Sequence, residues 1–422
     1  MEMLKIEGGK PLSGEVCISG NKNSALPILA SSILYSKKSL IKNLPSLADT
    51  KFLLELLKSF GLKIERLGSN SIEIDASIIT STKADYEMVR KMRASILVLA
   101  PLLVRTGNAI VSLPGGCAIG SRPVDIHLEG LKALGADLEV KEGYIHAKLK
   151  SNSFVGATID LPLPSVGATE QLIMAAVLAK GDTIINKAAK EPEVCELIST
   201  LNSAGAKIFG AGSSTLHITG VTSLSSLNHQ ILFDRIEAGT FIALAAGTKS
   251  EIVLNNVVLS CMENIINVFK KAGCEFLELD SNSIKVKGPN LLESVDIETA
   301  PYPGFPTDMQ AQFMAAMTTA NGVSNIYERI FENRMMHVPE LIRMGADIEV
   351  HKGIARVKGK KNLVGAQVMA TDLRASASLV IAALMAQGKS EIRRIYHLDR
   401  GYDSLDEKLL SLSANITRCK QS

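Results

Sequence analysis

The sequence predicts an α/β fold of two similar domains, each made of three repeated units. Three observations carry the prediction. Six times, an amphipathic segment runs through a Gly-Ala-like pair into an alternating one, as in LEGLKALGADLEV and PELIRMGADIEV. The copies centre on Gly61, Gly135, Gly205, Gly273, Gly345 and Ser413, spaced 74, 70, 68, 72 and 68 residues apart, longer than the ~20–50 residues of solenoid repeats. The apolar content, 46% of 422 residues, is aliphatic and small, with 4% aromatics, no Trp and 32 Gly against 14 Pro. Such a chain is neither disordered nor collagen-like. A single core stops growing near ~250–300 residues, so three units per domain is the natural division. The division is expected near Ser223–Phe233, where Ser-Leu-Ser-Ser-Leu-Asn lacks helical patterning. One long repeat array is the alternative.

Each unit can be justified in order. Leu54, Leu57 and Phe60 stand on one stripe of a helix. The Gly beyond its end fits a left-handed C-cap, and the alternation after it (Ile64; Leu138, Val140; Ile348, Val350) is that of a half-buried strand. Short turns at Gly68-Ser69-Asn70 and Leu279-Asp280-Ser281-Asn282 return a second strand. The other half of each unit is a helix rich in Ala and Ser, then Gly or Asn, then a β-branched strand, as in TEQLIMAAVLAKGDTIIN. Small residues permit close backbone approach, which makes these the inner helices.

Charge and cysteine usage exclude several classes. The 46 basic and 43 acidic residues are spread along the chain, with no basic block and few aromatics to stack on bases, so neither nucleic acid nor a membrane surface is an expected partner. Cys17, Cys117, Cys195, Cys261, Cys274 and Cys419 lack metal-ligand spacing and fit reduced cytosolic thiols. The N-terminus has no apolar signal-peptide core. The longest apolar stretch, Ala94–Val104, falls short of the ~20 residues a bilayer requires. A cytoplasmic protein without membrane insertion is expected.

Two loops and a set of arginines could carry chemistry. Ser19-Gly20-Asn21-Lys22-Asn23-Ser24 opens the first small-residue helix, where free N–H groups and a lysine suit phosphate or carboxylate. The same residues fit a plain N-cap with a solvated loop lysine. Leu113–Pro123 is glycine-rich and holds Cys117 and Arg122, a functional or a structural thiol; His127 lies ten residues on, ahead of a helix. Arg93, Arg334, Arg374 and Arg400 recur at element boundaries, which would gather guanidinium forks for phosphate or carboxylate in an inter-domain cleft. Asp308 opens another helix and could be an N-cap. His337 and His397 have no metal spacing and fit structural roles.

Together the segments GGKPLSGEVCISGNKNSALPILA, LPGGCAIGSRPVDIHLEGL, FPTDMQAQFMAA, IFENRMMHVPELIRMGADIEV and RIYHLDRGYDSLDEKL closely resemble the UDP-N-acetylglucosamine enolpyruvyl transferases (1-carboxyvinyltransferases). The likeness runs from residue 8 to about 409 in the family's order. It implies an inside-out α/β barrel in each domain, with inward-facing helices. One domain would hold residues 22–231; residues 1–21 and 232–422 would form the other, joined to it by two crossovers. It implies transfer of the enolpyruvyl group of phosphoenolpyruvate to the 3′-hydroxyl of UDP-N-acetylglucosamine, with release of phosphate, at the first committed step of peptidoglycan synthesis. It also implies sensitivity to the epoxide fosfomycin, and neither a metal nor an organic cofactor.

By this resemblance Cys117 is the proton donor and Asp308 the base. Lys22, Arg122 and Arg400 hold phosphate, and Arg334 and Arg374 support them. The nucleotide sugar would meet Asn23, Arg93, Arg122, Pro123, Val124, Asp125, Ile126, Ser165, Val166, Gly167, Asp308 and Ile330. Leu163 and Pro164, in the same contact region, stand where several members carry Lys, a departure that bears on the diphosphate contacts. The sister transferase acting on shikimate 3-phosphate shares the architecture, and the Cys loop and RPVD segment argue against it. A non-catalytic repeat scaffold is the reading of a different class; it predicts no phosphate release.

Overall fold

The computed structural model describes residues 2–90, 92–114 and 124–421. They form two compact units, one from residues 20–114 and 124–232, the other from residues 2–19 and 233–421. Each has its own hydrophobic core, drawn from residues 25–231 in the first and from residues 4–18 and 233–416 in the second. Among the described residues no helix is long and apolar enough to cross a membrane.

Both units contain three four-stranded sheets on one plan. A strand leads through an inner helix to a parallel strand, and an outer helix then leads to an antiparallel hairpin. In the second sheet of the first unit, Lys83–Ala84 pairs parallel with Asn108–Ser112, which pairs antiparallel with Tyr144–Leu149, itself antiparallel to Ala136–Lys141. A parallel pair needs a crossover, and the small-residue helix supplies it. Three sheets are completed by strands distant in sequence, one of them by Ser13–Cys17 beside Glu251–Asn255 in the second unit. Asn228–Gln230 joins Ser39–Lys42 in the first unit, and Glu2–Glu7 fills the gap between Lys389–Arg393 and Asn415–Lys420 in the second.

The inner helices are buried almost all round. Arg235–Thr248, Gln310–Met317 and Ala375–Met385 pack on one another. In the first unit, Lys22–Ser31 and Val166–Ala176 both pack on the turn Arg93–Val98. The outer helices Ala48–Ser59, Pro192–Ser203 and Glu263–Lys271 keep one apolar stripe inward. The close approach has a signature that the repeat pattern did not reveal. Gly8, Gly220, Gly288 and Gly359 each follow a strand and lie against an inner helix or the turn just after it, where a Cβ would overlap the carbonyl oxygen of Ala383, Ala179, Ala245 or Ala320. Backbone cannot yield there, so only glycine fits.

The repeat glycines do end the outer helices. Gly61, Gly135, Gly205, Gly273 and Gly345 have φ of 98°, 100°, 100°, 98° and 94°, and Ser413 takes the same place at 65°. The hairpin turn expected over Leu279–Asn282 is shorter than that, because Leu279 and Asp280 belong to the strand Glu275–Asp280. A Cβ on Gly135 would meet nothing within 4 Å, which isolates the backbone term. Gly135→Ala is therefore expected to lower the free energy of urea unfolding by about 1–2 kcal/mol. An unchanged transition would show that the left-handed cap carries no such cost.

Candidate active site

In the first unit the start of each inner helix carries a candidate. Asn21 caps Lys22–Ser31; its Oδ1 accepts from the N–H groups of Asn23 at 2.7 Å and Ser24 at 3.4 Å. The expected cradle of free N–H groups is thus corrected, because the capping side chain occupies these two. Lys22 is not a solvated loop lysine either. It is the first helical residue, its side chain 12% exposed, and its Nζ lies 2.8 Å from Oδ2 of buried Asp49. Behind them the Asn21 amide donates to Glu193 Oε1 at 3.2 Å. Glu170 is buried nearby, and burial, reinforced by Glu193 and Glu191, pushes its carboxyl well above the usual range.

Arg93 opens the turn Arg93–Val98 and is half-buried. Val124 is buried ahead of helix Asp125–Ala133, on which Asp125 is exposed and Ile126 half-buried. His127 lies within that helix rather than ahead of it, buried, with Nδ1 2.8 Å from Gln171 Oε1. Leu163 and Pro164 are exposed. Ser165 caps Val166–Ala176, accepting from the Ala168 N–H at 3.4 Å, and Val166 and Gly167 are half-buried. A Cβ on Gly167 would stand 3.2 Å from the His127 ring, so glycine lets these two helix starts meet. Cys117, Arg122 and Pro123 lie outside the described residues.

In the second unit an aspartate stands one to three residues ahead of the first residue of each inner helix. Asp234 caps Arg235–Thr248, accepting from the Ile236 and Glu237 N–H groups at 2.8 and 3.1 Å. Asp372 does the same for Arg374 and Ala375 at 2.8 and 2.9 Å. Asp308, in the turn Thr307–Met309 leading into Gln310–Met317, is more than a cap candidate. Its Oδ1 accepts from Arg334 Nη2 at 2.7 Å, and its Oδ2 lies 3.5 Å from Arg374 Nε. Arg374 also lies 3.7 Å from Asp234 Oδ2. Burial works against the Arg374 charge, but Asp234, Tyr402 and Asp308 outweigh it and hold its pKa above the ordinary value.

Tyr402 stacks on this guanidinium at 5.3 Å, and its hydroxyl bonds Thr240 at 2.8 Å and accepts from Gln312 Nε2 at 3.1 Å. Arg374 Nη1 donates to the Gly401 carbonyl at 3.4 Å, next to half-buried Arg400 at the end of the turn Ile395–Arg400. Ile330 is half-buried, and its N–H donates to Glu328 Oε1 at 2.8 Å. Glu328 also accepts from the hydroxyl of Thr307, beside Asp308, at 3.0 Å. His337 is fully buried, and its imidazole is pushed down to about 4 by burial, opposed by Asp372 and reinforced by Arg334.

Of the four recurring arginines, Arg334 and Arg374 thus meet at one carboxylate, Asp308. Asp49, Asp234, Asp372 and Tyr402 were not among the sequence candidates. Superposing the three inner-helix starts of the second unit would have shown an aspartate at each, and that was the available signal.

Comparison with known proteins places this geometry. A family model described as EPSP synthase (3-phosphoshikimate 1-carboxyvinyltransferase) matches residues 6–409. A UDP-N-acetylglucosamine 1-carboxyvinyltransferase from Geobacter metallireducens is 51% identical over 421 residues, 100% of both chains. One of the same name from Thermodesulfovibrio yellowstonii is 52% identical, again over 100% of both. In structure the chain resembles the enolpyruvyl transferase NikO from Streptomyces tendae, with TM-score 0.90, 24% identity and coverage of 100% and 99%. It also resembles EPSP synthase from Acinetobacter baumannii, with TM-score 0.79, 17% identity and full coverage of both chains. These two likenesses show the fold: it is that of the enolpyruvyl transferases.

The buried imidazole makes a pH-dependent prediction. Folded His337 stays neutral down to about 4, while the unfolded chain takes up a proton below 6.5. The unfolded state then binds more protons, so this residue's contribution is complete above pH 6.5 and is lost as pH falls toward 4. Relative to a His337→Gln variant, the parent is expected to lose roughly 1 kcal/mol per pH unit across that window and nothing above it. Urea unfolding from pH 4 to 8 checks this, and parallel curves would contradict it.

Proposed function

The chain belongs to the EPSP synthase (3-phosphoshikimate 1-carboxyvinyltransferase) family, and on that premise we propose that it transfers the enolpyruvyl group of phosphoenolpyruvate to the 3′-hydroxyl of UDP-N-acetylglucosamine, releasing phosphate. It is a transferase. Identity of 51% to a UDP-N-acetylglucosamine 1-carboxyvinyltransferase over the full length carries the choice of acceptor. The reaction serves peptidoglycan synthesis, and with it cell shape and division, in the cytoplasm.

The chemistry assigns the roles. A proton delivered to the vinyl methylene leaves an oxocarbenium-like carbon. The sugar oxygen adds to it and loses its proton. The resulting ketal then loses a methyl proton and phosphate, restoring the enol ether. Cys117 is the donor of the first proton, and Asp308 takes the hydroxyl proton. Support for Asp308 comes from its half-buried carboxylate, fixed by Arg334 at 2.7 Å and faced by Arg374 at 3.5 Å, so that it is oriented before substrate arrives.

Lys22, Arg122 and Arg400 hold the departing phosphate. Lys22 is already paired with Asp49 at 2.8 Å, so its ammonium is positioned, and the anion has to share or displace that carboxylate. Asn23, Arg93, Val124 to Ile126, Leu163 to Gly167 and Ile330 receive the nucleotide sugar together with Pro123. The half-buried surfaces at 165–167 and 126, around His127, support that reading.

Phosphate release from phosphoenolpyruvate tests the proposal. It is expected with UDP-N-acetylglucosamine and absent with shikimate 3-phosphate; the reverse would reassign the acceptor. Cys117→Asp is expected to retain turnover and resist fosfomycin, which should add once, at Cys117, to the native protein. Cys117→Ala is expected to lose nearly all turnover. An inactive but folded Cys117→Asp variant would remove the thiol from the donor role.

A further inference from the structure

Arg418 stands on the last strand, opposite Leu4 of the N-terminal strand. Its guanidinium forks onto Asp399, with Nη2 donating to Oδ1 at 2.7 Å and Nη1 to Oδ2 at 3.1 Å. It also donates to Asp406 through Nε at 3.0 Å and Nη2 at 3.2 Å. A fifth bond joins Nη1 to Glu2 Oε2 at 3.1 Å. Every N–H that a guanidinium carries is therefore engaged. A lysine could not reproduce this, since it offers a point charge and no planar fork.

Asp399 and Asp406 are the two ends of one short segment, and what lies between them is the second unit's contribution around Arg374. Arg400 follows Asp399 directly. The Gly401 carbonyl accepts from Arg374, and the Tyr402 ring stacks on it. The backbone here is strained: Ser404 has φ of 48°, and Arg394, just before the turn Ile395–Arg400, has φ of 59°. Non-glycine residues hold such angles only where their surroundings over-determine them. Asp399 and Glu2 are 38% and 52% exposed, so solvent screens the three bonds they accept and global stability is a weak reason for those, while Asp406, at 15%, is more sheltered.

We infer that Arg418 is a positioning residue, which clamps both ends of the segment 399–406 and so sets where the Arg400 guanidinium stands. This rests on the reading of Arg400 as a phosphate-holding group. In an Arg418→Gln variant of the full chain, phosphate release is measured with each substrate varied in turn. The KM for phosphoenolpyruvate is expected to rise about tenfold while that for UDP-N-acetylglucosamine stays within about twofold, the scale of lost outer-shell support. Combining Arg418→Gln with Arg400→Ala is expected to do no more harm to the phosphoenolpyruvate KM than Arg400→Ala alone, because the clamp acts through Arg400.

A folded Arg418→Gln variant with native KM for phosphoenolpyruvate overturns the inference, as do losses that multiply in the double variant. An Arg400→Ala variant with native KM overturns instead the phosphate reading on which it rests. If Arg418→Gln does not fold, Asp399→Asn, which keeps shape and removes one charge, decides by the same two KM values.

Discussion

A guanidinium taken out of water cannot shed its proton, so carboxylates must come to meet it. Arg374, 3% exposed, is met by Asp234 and Asp308 and covered by the Tyr402 ring. The rest of the second unit's chemistry is arranged around that requirement. Its inner helices begin at Asp234, near Asp308 and just after Asp372, where the helix N-terminus also favours negative charge. Asp308 is therefore held by a helix start, by Arg334 and by Arg374 together. A carboxylate so constrained has little to reorganise when a partner arrives.

Those helix starts can gather only because the helices themselves come close. Ala and Ser on their faces remove the side-chain volume that would hold them apart, and Gly8, Gly220, Gly288 and Gly359 let the strand ends close onto carbonyls in or just after them. The first unit uses the same plan with the charges reversed. Its helices start near Lys22 and Arg93, and a buried carboxylate, Asp49, answers the first of them. One architecture thus sets aspartates beside the inner-helix starts of one unit and Lys22 and Arg93 at those of the other, through the identity of a few residues at the same place in the repeat.

The repeat itself was legible from the sequence, because helix period, terminal glycine and strand alternation agree at Gly61, Gly135 and Gly345. Strand exchange was not legible from that local pattern. Nothing near Asn228–Gln230 or Glu2–Glu7 says which distant edge each will complete. Asp308 and the arginines stood out by their chemistry, and Arg334 and Arg374 do meet at Asp308. Of the two readings of Lys22, the solvated loop lysine fails, and the pair with Asp49 was not legible because that residue lies on the next helix and ion pairing across helices leaves no periodic trace. Asp234 and Tyr402 were missed for a related reason. An aspartate at a helix start looks like a cap, and each of these residues gains its second role only through Arg374.

The most direct test of this account is a double-mutant cycle on kcat/KM between positions 234 and 374, using Asp234→Asn and Arg374→Leu. If Asp234 acts on the reaction by holding Arg374 against Asp308, the double variant loses no more than Arg374→Leu alone, with a coupling energy above about 1 kcal/mol. Losses that simply multiply would show that the two residues act independently, and the buried guanidinium would no longer be the centre of the site.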